Sequence, residues 1–429
     1  MKHVKLVLAC VLFGGLNIFL SLNYHSHSHW YTYHDILWAD RAGYFAYLPS
    51  KWGTQGALSS ELGPRTGHGF HIDESGRMVT KYTCGVALLI APFYYTGHAI
   101  GSLLGHGNDP YGPVDHLVVP VSAGILATLA LLLLGIMLRH RWSMPATILA
   151  LVLVFLGSNL FYYTIGDPGM SHVYSFFLFV CTLFLLDRRM RNGPSIAFDI
   201  LLGIVMGTIL LIRPTNAVFL LGSIWLARSG QLKAQESDTA RTTGFAQSRM
   251  WPILLAATLP LLLQAFYWQR TFGTPVHWSY TDESFMNWAH PRIFRVLFST
   301  NNGAFAWSPL FAFVPLAALH VLKKGQKWWA LMSIFLFVAV VYMSGSWWVW
   351  HFGCGFGCRN LVEYLAVFAF PLTGSIDRLI RRFGWWPVIA VVCLIVAYEF
   401  KLVYSYDGCW HGGEWDQSEF LQLLFGPTK

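Results

Sequence analysis

Between a histidine and an arginine the chain reads Leu117-Val-Val-Pro-Val-Ser-Ala-Gly-Ile-Leu-Ala-Thr-Leu-Ala-Leu-Leu-Leu-Leu-Gly-Ile-Met-Leu138, a run without a charged side chain. A helix crosses the hydrocarbon core of a bilayer with about 20 consecutive apolar residues. Comparable runs recur along the chain, separated by short polar or basic segments. The pattern therefore predicts a bundle of membrane-spanning helices.

The composition of the whole chain gives the same answer. Its 429 residues are 55% hydrophobic and 12% charged, with a mean hydropathy of +0.47, whereas soluble domains carry roughly 25% charged residues. A water-soluble enzyme and a disordered chain are both excluded. Some runs are short and cross only with tilt or burial against neighbours, so we expect an all-α, polytopic membrane protein with about ten to thirteen transmembrane helices. It would form one membrane-embedded domain over residues 1–429.

The basic residues predict the direction of these helices. The net charge is +8, from 29 Lys and Arg against 21 Asp and Glu. The basic residues stand in short clusters at the ends of apolar runs, which is a signal of membrane topology, and no nucleic-acid partner is expected. Placing the clusters in the cytoplasm predicts a first outer loop at 24–83, a cytoplasmic linker at 229–250 and an outer-face tail at 405–429.

One segment conflicts with this topology. If residues 85–104 cross the membrane after a cytoplasmic N-terminus, Arg139 and Arg141 fall on the outer side. Either the segment is re-entrant or lies along the surface, or the rule fails at that loop. The sequence leaves both alternatives open.

The seven cysteines lie mostly inside or beside apolar runs, where they are expected to be small buried side chains. Cys354 and Cys358, in a glycine-rich loop, are the only pair that the sequence marks for a disulfide or a metal. Two thiols alone make an incomplete zinc site, so no metal site is predicted there.

The first outer loop carries the best candidate for a catalytic acid. It reads His34-Asp35-Ile-Leu-Trp-Ala-Asp40-Arg41-Ala-Gly43-Tyr44-Phe-Ala-Tyr47-Leu-Pro49, an aromatic-rich amphipathic stretch that predicts interfacial helices. Asp40 would lie at the level of the lipid headgroups, where a carboxylate can take a proton from an acceptor hydroxyl. The alternative is that Asp40 only caps the helix that begins near Arg41.

Further candidates follow at the predicted outer boundaries. Lys81 and Tyr82 close the first loop, and a lysine there either snorkels to the headgroups or holds a lipid-linked phosphate. Arg213 precedes Pro214, which disfavours helix in the residue before it, and a charge at a break within the membrane is a functional candidate. The remaining polar candidates in these outer segments are His172, Glu283 and Arg359.

Short motifs in these segments occur in a fixed order: Asp40-Arg-Ala-Gly-Tyr-Phe-Ala-Tyr-Leu-Pro, Lys81-Tyr82 with Gly85 and Pro92-Phe93, Met170-Ser171-His172, Arg213-Pro-Thr-Asn, Asn302-Gly-Ala-Phe with Ser308-Pro309, and Gly357 with Arg359. Over about residues 30 to 375 the chain resembles bacterial integral-membrane glycosyltransferases of the GT-C fold, distant relatives of protein O-mannosyltransferases and the lipid A aminoarabinose transferase. It departs from that family at Arg41, where a small residue is usual, and at Cys354 and Cys358.

The resemblance implies a GT-C-like bundle and a polyprenyl-phosphate-linked sugar as donor. The sugar would pass to a hydroxyl of a glycan, lipid or protein acceptor at the outer face of the bacterial cytoplasmic membrane, with inversion at the anomeric carbon. It implies Asp40 as the general base and Lys81 as a contact for the donor phosphate. The other residues expected to bind substrate are Asp35, Tyr82, His172, Arg213, Glu283 and Arg359.

The need for a cation stays open. Asp35 would share a cation with Asp40, assist it, or simply solvate the loop. His25, His27 and His29 fall on one side of an extended strand, as metal ligands can, but no carboxylate accompanies them. No metal site is predicted, and a divalent cation is left as an open cofactor.

A carrier is the rival function. A protein that moves a lipid-linked saccharide between leaflets without transferase activity would explain the apolar runs and the outer aromatic loops equally well. Carriers place ionisable groups near the bilayer midplane at broken helices. The interiors of these runs are almost free of charge, so the sequence favours the enzyme.

Overall fold

The computed structural model describes residues 2–53, 58–106, 109–228, 250–280, 283–322 and 326–427. The linker expected at 229–250 lies outside the described residues except for its last residue. The helices are α1 (Lys2–Tyr24), α2 (Asp40–Phe45), α3 (Leu62–Arg65), α4 (Gly85–Leu103), α5 (Pro113–Arg139), α6 (Met144–Leu156), α7 (Leu160–Ile165), α8 (Ser171–Asn192), α9 (Ile196–Ile212), α10 (Ala217–Arg228), α11 (Trp251–Phe272), α12 (Ile293–Phe298), α13 (Ala304–Trp307), α14 (Leu310–Leu322), α15 (Lys327–Ser346), α16 (Leu365–Phe383), α17 (Trp385–Ser405) and α18 (Gln417–Phe425).

The described residues contain little regular structure other than α-helix. Two 3-10 helices cover Pro214–Asn216 and Arg359–Leu361, and one antiparallel ribbon pairs β1 (His71–Ile72) with β2 (Met78–Val79). Six of the described helices, α1, α4, α5, α11, α15 and α17, are long and apolar enough to cross a membrane. Shorter apolar helices pack with them. The predicted all-α, polytopic membrane bundle is confirmed.

Polar contacts between helices fix their directions. Near the start of both helices, Ser122 of α5 lies 2.9 Å from the Tyr174 hydroxyl of α8, so these two helices run parallel. Asn216, just after α9, donates to the Ser175 hydroxyl of α8 at 3.5 Å. Helices α5 and α8 therefore begin, and α9 ends, at the same end of the bundle.

The first loop, residues 24–83, covers that end. The Thr83 hydroxyl donates to the carbonyl of Leu211 in the last turn of α9, and His116 Nε2 in the first turn of α5 lies 2.7 Å from Asp35 Oδ1. We call this end the loop end. The opposite end, the basic end, carries the helix-terminal arginines Arg139, Arg141, Arg188, Arg189, Arg191, Arg378, Arg381 and Arg382.

Helix α4 contacts the loop end with both of its halves. A Cβ on Gly85, its first residue, would lie 2.6 Å from the Ile212 side chain at the end of α9. One turn from its other end, His98 Nε2 lies 2.6 Å from Asp115 Oδ1 in the first turn of α5. A crossing helix of this length would separate its ends by about 28 Å, so α4 lies across the bundle.

This position of α4 is the one that the surface alternative describes. Residues 85–104 are long and apolar enough to span, yet their packing follows the surface alternative. Helix α5 therefore carries Arg139 and Arg141 away from the loop end, to the end where the other basic clusters lie.

Candidate active site

A cleft of about 920 Å³ opens at the loop end. Its walls come from the end of α1, the first loop, the turn between α7 and α8, the loop 347–359 after α15, and the end of α17. Ligand sites commonly enclose about 300–1,000 Å³. The cleft therefore has room for a large ligand or for two smaller groups.

Asp40 is the first residue of α2 and lines this cleft. Ala39 occupies the N-cap position, and no side chain caps the helix. The Asp40 carboxylate accepts a hydrogen bond from the Tyr82 hydroxyl and lies 3.7 Å from Arg359 Nη2. Its oxygens therefore face side chains from distant parts of the chain, which the capping alternative did not anticipate.

Charges around Asp40 keep it ionised. Burial alone raises the pKa of the Asp40 carboxyl, but Arg359, the Tyr82 hydroxyl and Lys81 outweigh burial and hold the pKa below its ordinary value. Burial and the neighbouring Asp40 charge raise the pKa of Tyr82 well above its ordinary value, so Tyr82 stays a hydrogen-bond donor. At neutral pH the cleft thus holds a carboxylate with a fixed orientation.

Close packing explains why Tyr82 reaches Asp40. A Cβ on Gly43, within α2, would lie 2.3 Å from the Tyr82 ring, so only glycine lets this ring approach the helix. On the other side of the ring, the Tyr82 carbonyl accepts from the Tyr47 hydroxyl at 2.6 Å. The aromatic residues of the first loop therefore position the donor to Asp40.

Lys81 forms the second charged position of the cleft. Its Nζ lies 2.6 Å from Glu283 Oε1, and it sits 5.3 Å and 5.6 Å from the ring centres of Tyr82 and Tyr280. The Lys81 side chain is 39% exposed. The structure thus brings Lys81 and Glu283 together and leaves the ammonium accessible from the cleft.

Arg359 begins a 3-10 helix at the far wall of the cleft. Its guanidinium lies beside Asp40 and 5.5 Å from the ring centre of Phe352. The Nε atom is buried and has no hydrogen-bond partner within the described residues. A buried donor without a partner costs free energy.

Arg213 and His172 come together beneath the cleft rather than on its wall. Arg213 Nη1 donates to Asn360 Oδ1 at 2.9 Å and to Glu363 Oε1 at 3.2 Å, and His172 Nδ1 lies 3.0 Å from Glu363 Oε2. Because Asn360 follows Arg359 in the chain, this buried cluster supports the backbone that presents Arg359. Neither Arg213 nor His172 lines the cleft.

Asp35 belongs to a different network from Asp40. Its carboxylate accepts from the backbone N–H groups of Tyr31 and Leu37 at 2.7 and 3.2 Å and faces His116 at 2.7 Å. The side chain is 2% exposed and does not line the cleft. Asp35 therefore holds the first loop on α5, and its expected contact with substrate stays a prediction.

The ion pair of Arg41 with Asp167 is a feature that the sequence analysis missed. Arg41 Nη1 lies 2.8 Å from Asp167 Oδ1, which turns the arginine away from Asp40. Burial raises the pKa of Asp167 although Arg41 and Arg359 lower it. An acid in the short Gly166-Asp167-Pro168 turn, between two apolar runs, was the available signal.

The disulfide differs from the pair that the sequence marked. Cys354 bonds to Cys409 in the tail, whereas Cys358 is a buried free thiol. The expectation that Cys354 and Cys358 are the only pair able to form a disulfide is wrong, because the fold brings residues 405–409 against the loop before Arg359. Tyr406, Asp407 and Gly408 line the cleft as a result, and sequence reasoning gave no signal for them.

Metal ligands are not grouped in the part of the chain that the structure describes. No three His, Cys, Asp or Glu side chains there are placed to hold a metal ion. His25 and His27 line the cleft, and Asp35 is engaged elsewhere. The described residues thus supply no cluster to hold the divalent cation that the sequence left open.

Comparisons with known proteins give a distant likeness. No protein-family model matches the chain, and no curated protein matches it. It is similar to the apo form of the Archaeoglobus fulgidus oligosaccharyltransferase, with TM-score 0.48 and 12% identity over 98% of this chain and 60% of that one. The same protein tethered with an acceptor peptide gives TM-score 0.47 and 12% identity over 92% and 54%. The chain thus spans little more than half the length of that protein.

Proposed function

We propose that this chain is a membrane glycosyltransferase of the GT-C type. It would transfer a sugar from a polyprenyl-phosphate-linked donor to an acceptor hydroxyl, with Asp40 as general base. The observation that carries the proposal is one arrangement: the ionised Asp40 carboxylate faces the same cleft as the cations Lys81 and Arg359. The order of sequence motifs described above supports the same function.

The carboxylate and the cations would have different roles in the reaction. Asp40 takes the proton of the acceptor hydroxyl as its oxygen forms a bond to the anomeric carbon. The bond from that carbon to the phosphate oxygen breaks, and the polyprenyl phosphate leaves with the electron pair. Attack opposite the leaving group inverts the anomeric carbon.

Arg359 and Lys81 would stabilise the charge that develops on the leaving phosphate. Arg359 presents a planar guanidinium on the cleft wall, and Lys81 adds a point charge with mobile donors. Donors that are already oriented in a partly buried site lower the barrier more than solvent does. The buried cluster around Arg213 would act by positioning Arg359, and Glu283 by orienting Lys81.

The loop end would face the periplasm or exterior across a bacterial cytoplasmic membrane. Disulfides such as Cys354–Cys409 persist in oxidising compartments, and arginines at helix ends are typical of the cytoplasmic side. In this arrangement the first loop 24–83 and the tail 405–429 lie outside. One domain would carry the whole reaction.

The test compares purified wild type with Asp40→Asn. Both are given radiolabelled sugars on synthetic polyprenyl-phosphate donors, together with glycan, lipid and peptide acceptors. Loss of the base should lower the transfer rate at least about 10²-fold. The matched control is Asp109→Asn, which changes an exposed aspartate outside the cleft and should keep the wild-type rate.

Two outcomes would overturn this proposal. Transfer by a folded Asp40→Asn protein at near the wild-type rate removes the base assignment. No transfer or donor hydrolysis by wild type, over a broad donor panel, removes the enzyme. The carrier would then be measured directly, as movement of the lipid-linked saccharide between the leaflets of a vesicle.

A further inference from the structure

The wall of the same cleft carries a group of tyrosines and acids beside Arg41. The Arg41 guanidinium donates to Asp167 Oδ1 at 2.8 Å and to the Tyr33 carbonyl at 3.1 Å. We call this part of the cleft wall the tyrosine lobe. Its tyrosines and acids include Tyr24, Tyr33, Asp167, Tyr404 and Asp407.

Aromatic rings form much of the tyrosine lobe. The rings of Tyr24 and Tyr404 lie 6.2 Å apart with a tilt of 55°, at the ends of α1 and α17. Tyr33 is 40% exposed and stands on the first loop. Three separate elements thus present partly accessible phenol rings, each with an apolar face and a polar hydroxyl.

The two acids of the tyrosine lobe already have donors. Asp167 is paired with Arg41. Asp407 accepts from the backbone N–H of Cys409 at 3.2 Å, faces His411 Nε2 at 3.3 Å, and takes the Tyr33 hydroxyl hydrogen bond. Each carboxylate thus has a fixed orientation, and its remaining lone pairs can accept further hydrogen bonds from a ligand.

The tyrosines and acids of the tyrosine lobe limit the class of ligand that can bind there. An acyl chain would bury the carboxylates against hydrocarbon, which is costly. A cationic peptide would meet the Arg41 guanidinium beside these acids, and like charges repel. A neutral polyhydroxyl ring fits both features, because its C–H faces pack on aromatic rings and its hydroxyls donate to carboxylates in charge-assisted bonds.

We propose that the tyrosine lobe binds the acceptor, and that the acceptor is a neutral saccharide. This inference rests on the proposed function and deepens it. Asp40 precedes Arg41 in the chain and lies 3.7 Å from Arg359 Nη2, so it adjoins both the tyrosine lobe and that cation. A saccharide hydroxyl entering from the tyrosine lobe would meet the general base before it meets the donor sugar.

The test measures saccharide binding without any donor. Fluorescently labelled cellotriose, maltotriose and tri-N-acetylchitotriose are titrated with the full-length detergent-solubilised protein, and unlabelled sugar serves as competitor. A lysine-rich peptide and diacylglycerol are tested as rival ligands. Wild type should bind at least one neutral trisaccharide in preference to both rivals.

Variants then locate the site. Removing the charge in Asp407→Asn should weaken binding at least about tenfold, and removing the ring in Tyr404→Leu about threefold or more. Tyr404→Phe keeps the ring and should restore most of the affinity, which separates stacking from misfolding. Asp109→Asn, outside the cleft, should bind as wild type does.

The result distinguishes this inference from the proposed function. Trisaccharide binding that depends on Asp407 and Tyr404, in a protein without transferase activity, supports the tyrosine lobe and removes the enzyme. Active transfer with no binding of any neutral trisaccharide overturns the saccharide acceptor. Preference for the peptide or for diacylglycerol also overturns it, as does binding that Asp407→Asn and Tyr404→Leu leave unchanged.

Discussion

The two ends of the bundle use charge in different ways. At the loop end, the ion pairs that line or support the cleft join residues 126, 202 and 150 positions apart: Arg41 with Asp167, Lys81 with Glu283, and Arg213 with Glu363. At the basic end, the separations are 4, 10, 4 and 46: Arg191 with Asp187, Arg189 with Asp199, Arg381 with Asp377, and Arg141 with Asp187.

The long-range ion pairs of the loop end indicate a site that folding brings together, whereas the clustered arginines of the basic end indicate membrane topology. At the basic end, Arg381 pairs with Asp377 on one helix, and an exposed arginine in such a pair contributes little to stability, whereas Arg189–Asp199 and Arg141–Asp187 are buried between segments that are close in sequence. Pairs between distant segments exist only when the whole bundle has folded. The loop-end charges therefore have positions that the tertiary structure dictates, as a binding or catalytic site requires.

Removal of the Cys354–Cys409 disulfide should have the largest effect of the three tests, on the free energy of unfolding. The Cys354–Cys409 bond joins residues 55 positions apart and ties the tail to the cleft wall. Replacing both cysteines with serine should lower the free energy of unfolding by about 2–4 kcal/mol, measured as thermal unfolding in detergent. The control is Cys393→Ser, an exposed free thiol on α17. If a reductant leaves the unfolding of the wild type unchanged, the stabilising role of this disulfide is contradicted.

Exchange of arginine for lysine keeps the charge and should affect the transfer rate differently at the two ends of the bundle. Arg359→Lys removes the planar group beside Asp40 and the buried Nε donor, and the transfer rate should fall about tenfold. Arg381→Lys is the matched change at the basic end, where the side chain is 74% exposed, and it should leave transfer unaltered. Equal effects at the two positions would remove the distinction between the ends.

The pH profile should show the smallest effect. The pKa of Asp40 lies below its ordinary value, which is about 3.9, so the basic form persists above that pH. Activity is lost only as the pH falls through the lowered pKa, and between pH 5 and 8 Asp40 should change kcat/KM by less than about twofold. A profile of transfer over pH 4 to 8 tests this. An acid limb near pH 6 or above that Asp40→Asn abolishes would contradict it.

Sequence reasoning reached the class of fold because apolar runs of sufficient length have few alternatives in a bilayer. It failed to assign a course to α4, since the helix is as apolar as a spanning segment. What decides its course is the packing of Gly85 on Ile212 and of Gly97 on Val118. Contacts of this kind cannot be read from hydropathy.

For the candidate site too, the sequence predicted some residues and missed the partners of others. Asp40 and Lys81 were visible because a charge at a membrane boundary is unusual in so apolar a chain. The true partner of Cys354 and the role of Asp35 were hidden, because each depends on a residue brought close by folding, Cys409 and His116. Local spacing favoured the nearer cysteine and the nearer acid.

The position of α4 also shapes the bundle. A helix that lies across the loop end occupies area in one leaflet and leaves the other leaflet free. Its outward side chains, including Tyr95, Ile100 and Leu103, are 51%, 52% and 87% exposed and present an apolar surface to lipid. An apolar helix surface at this level suits contact with the boundary between headgroups and acyl chains of a bilayer.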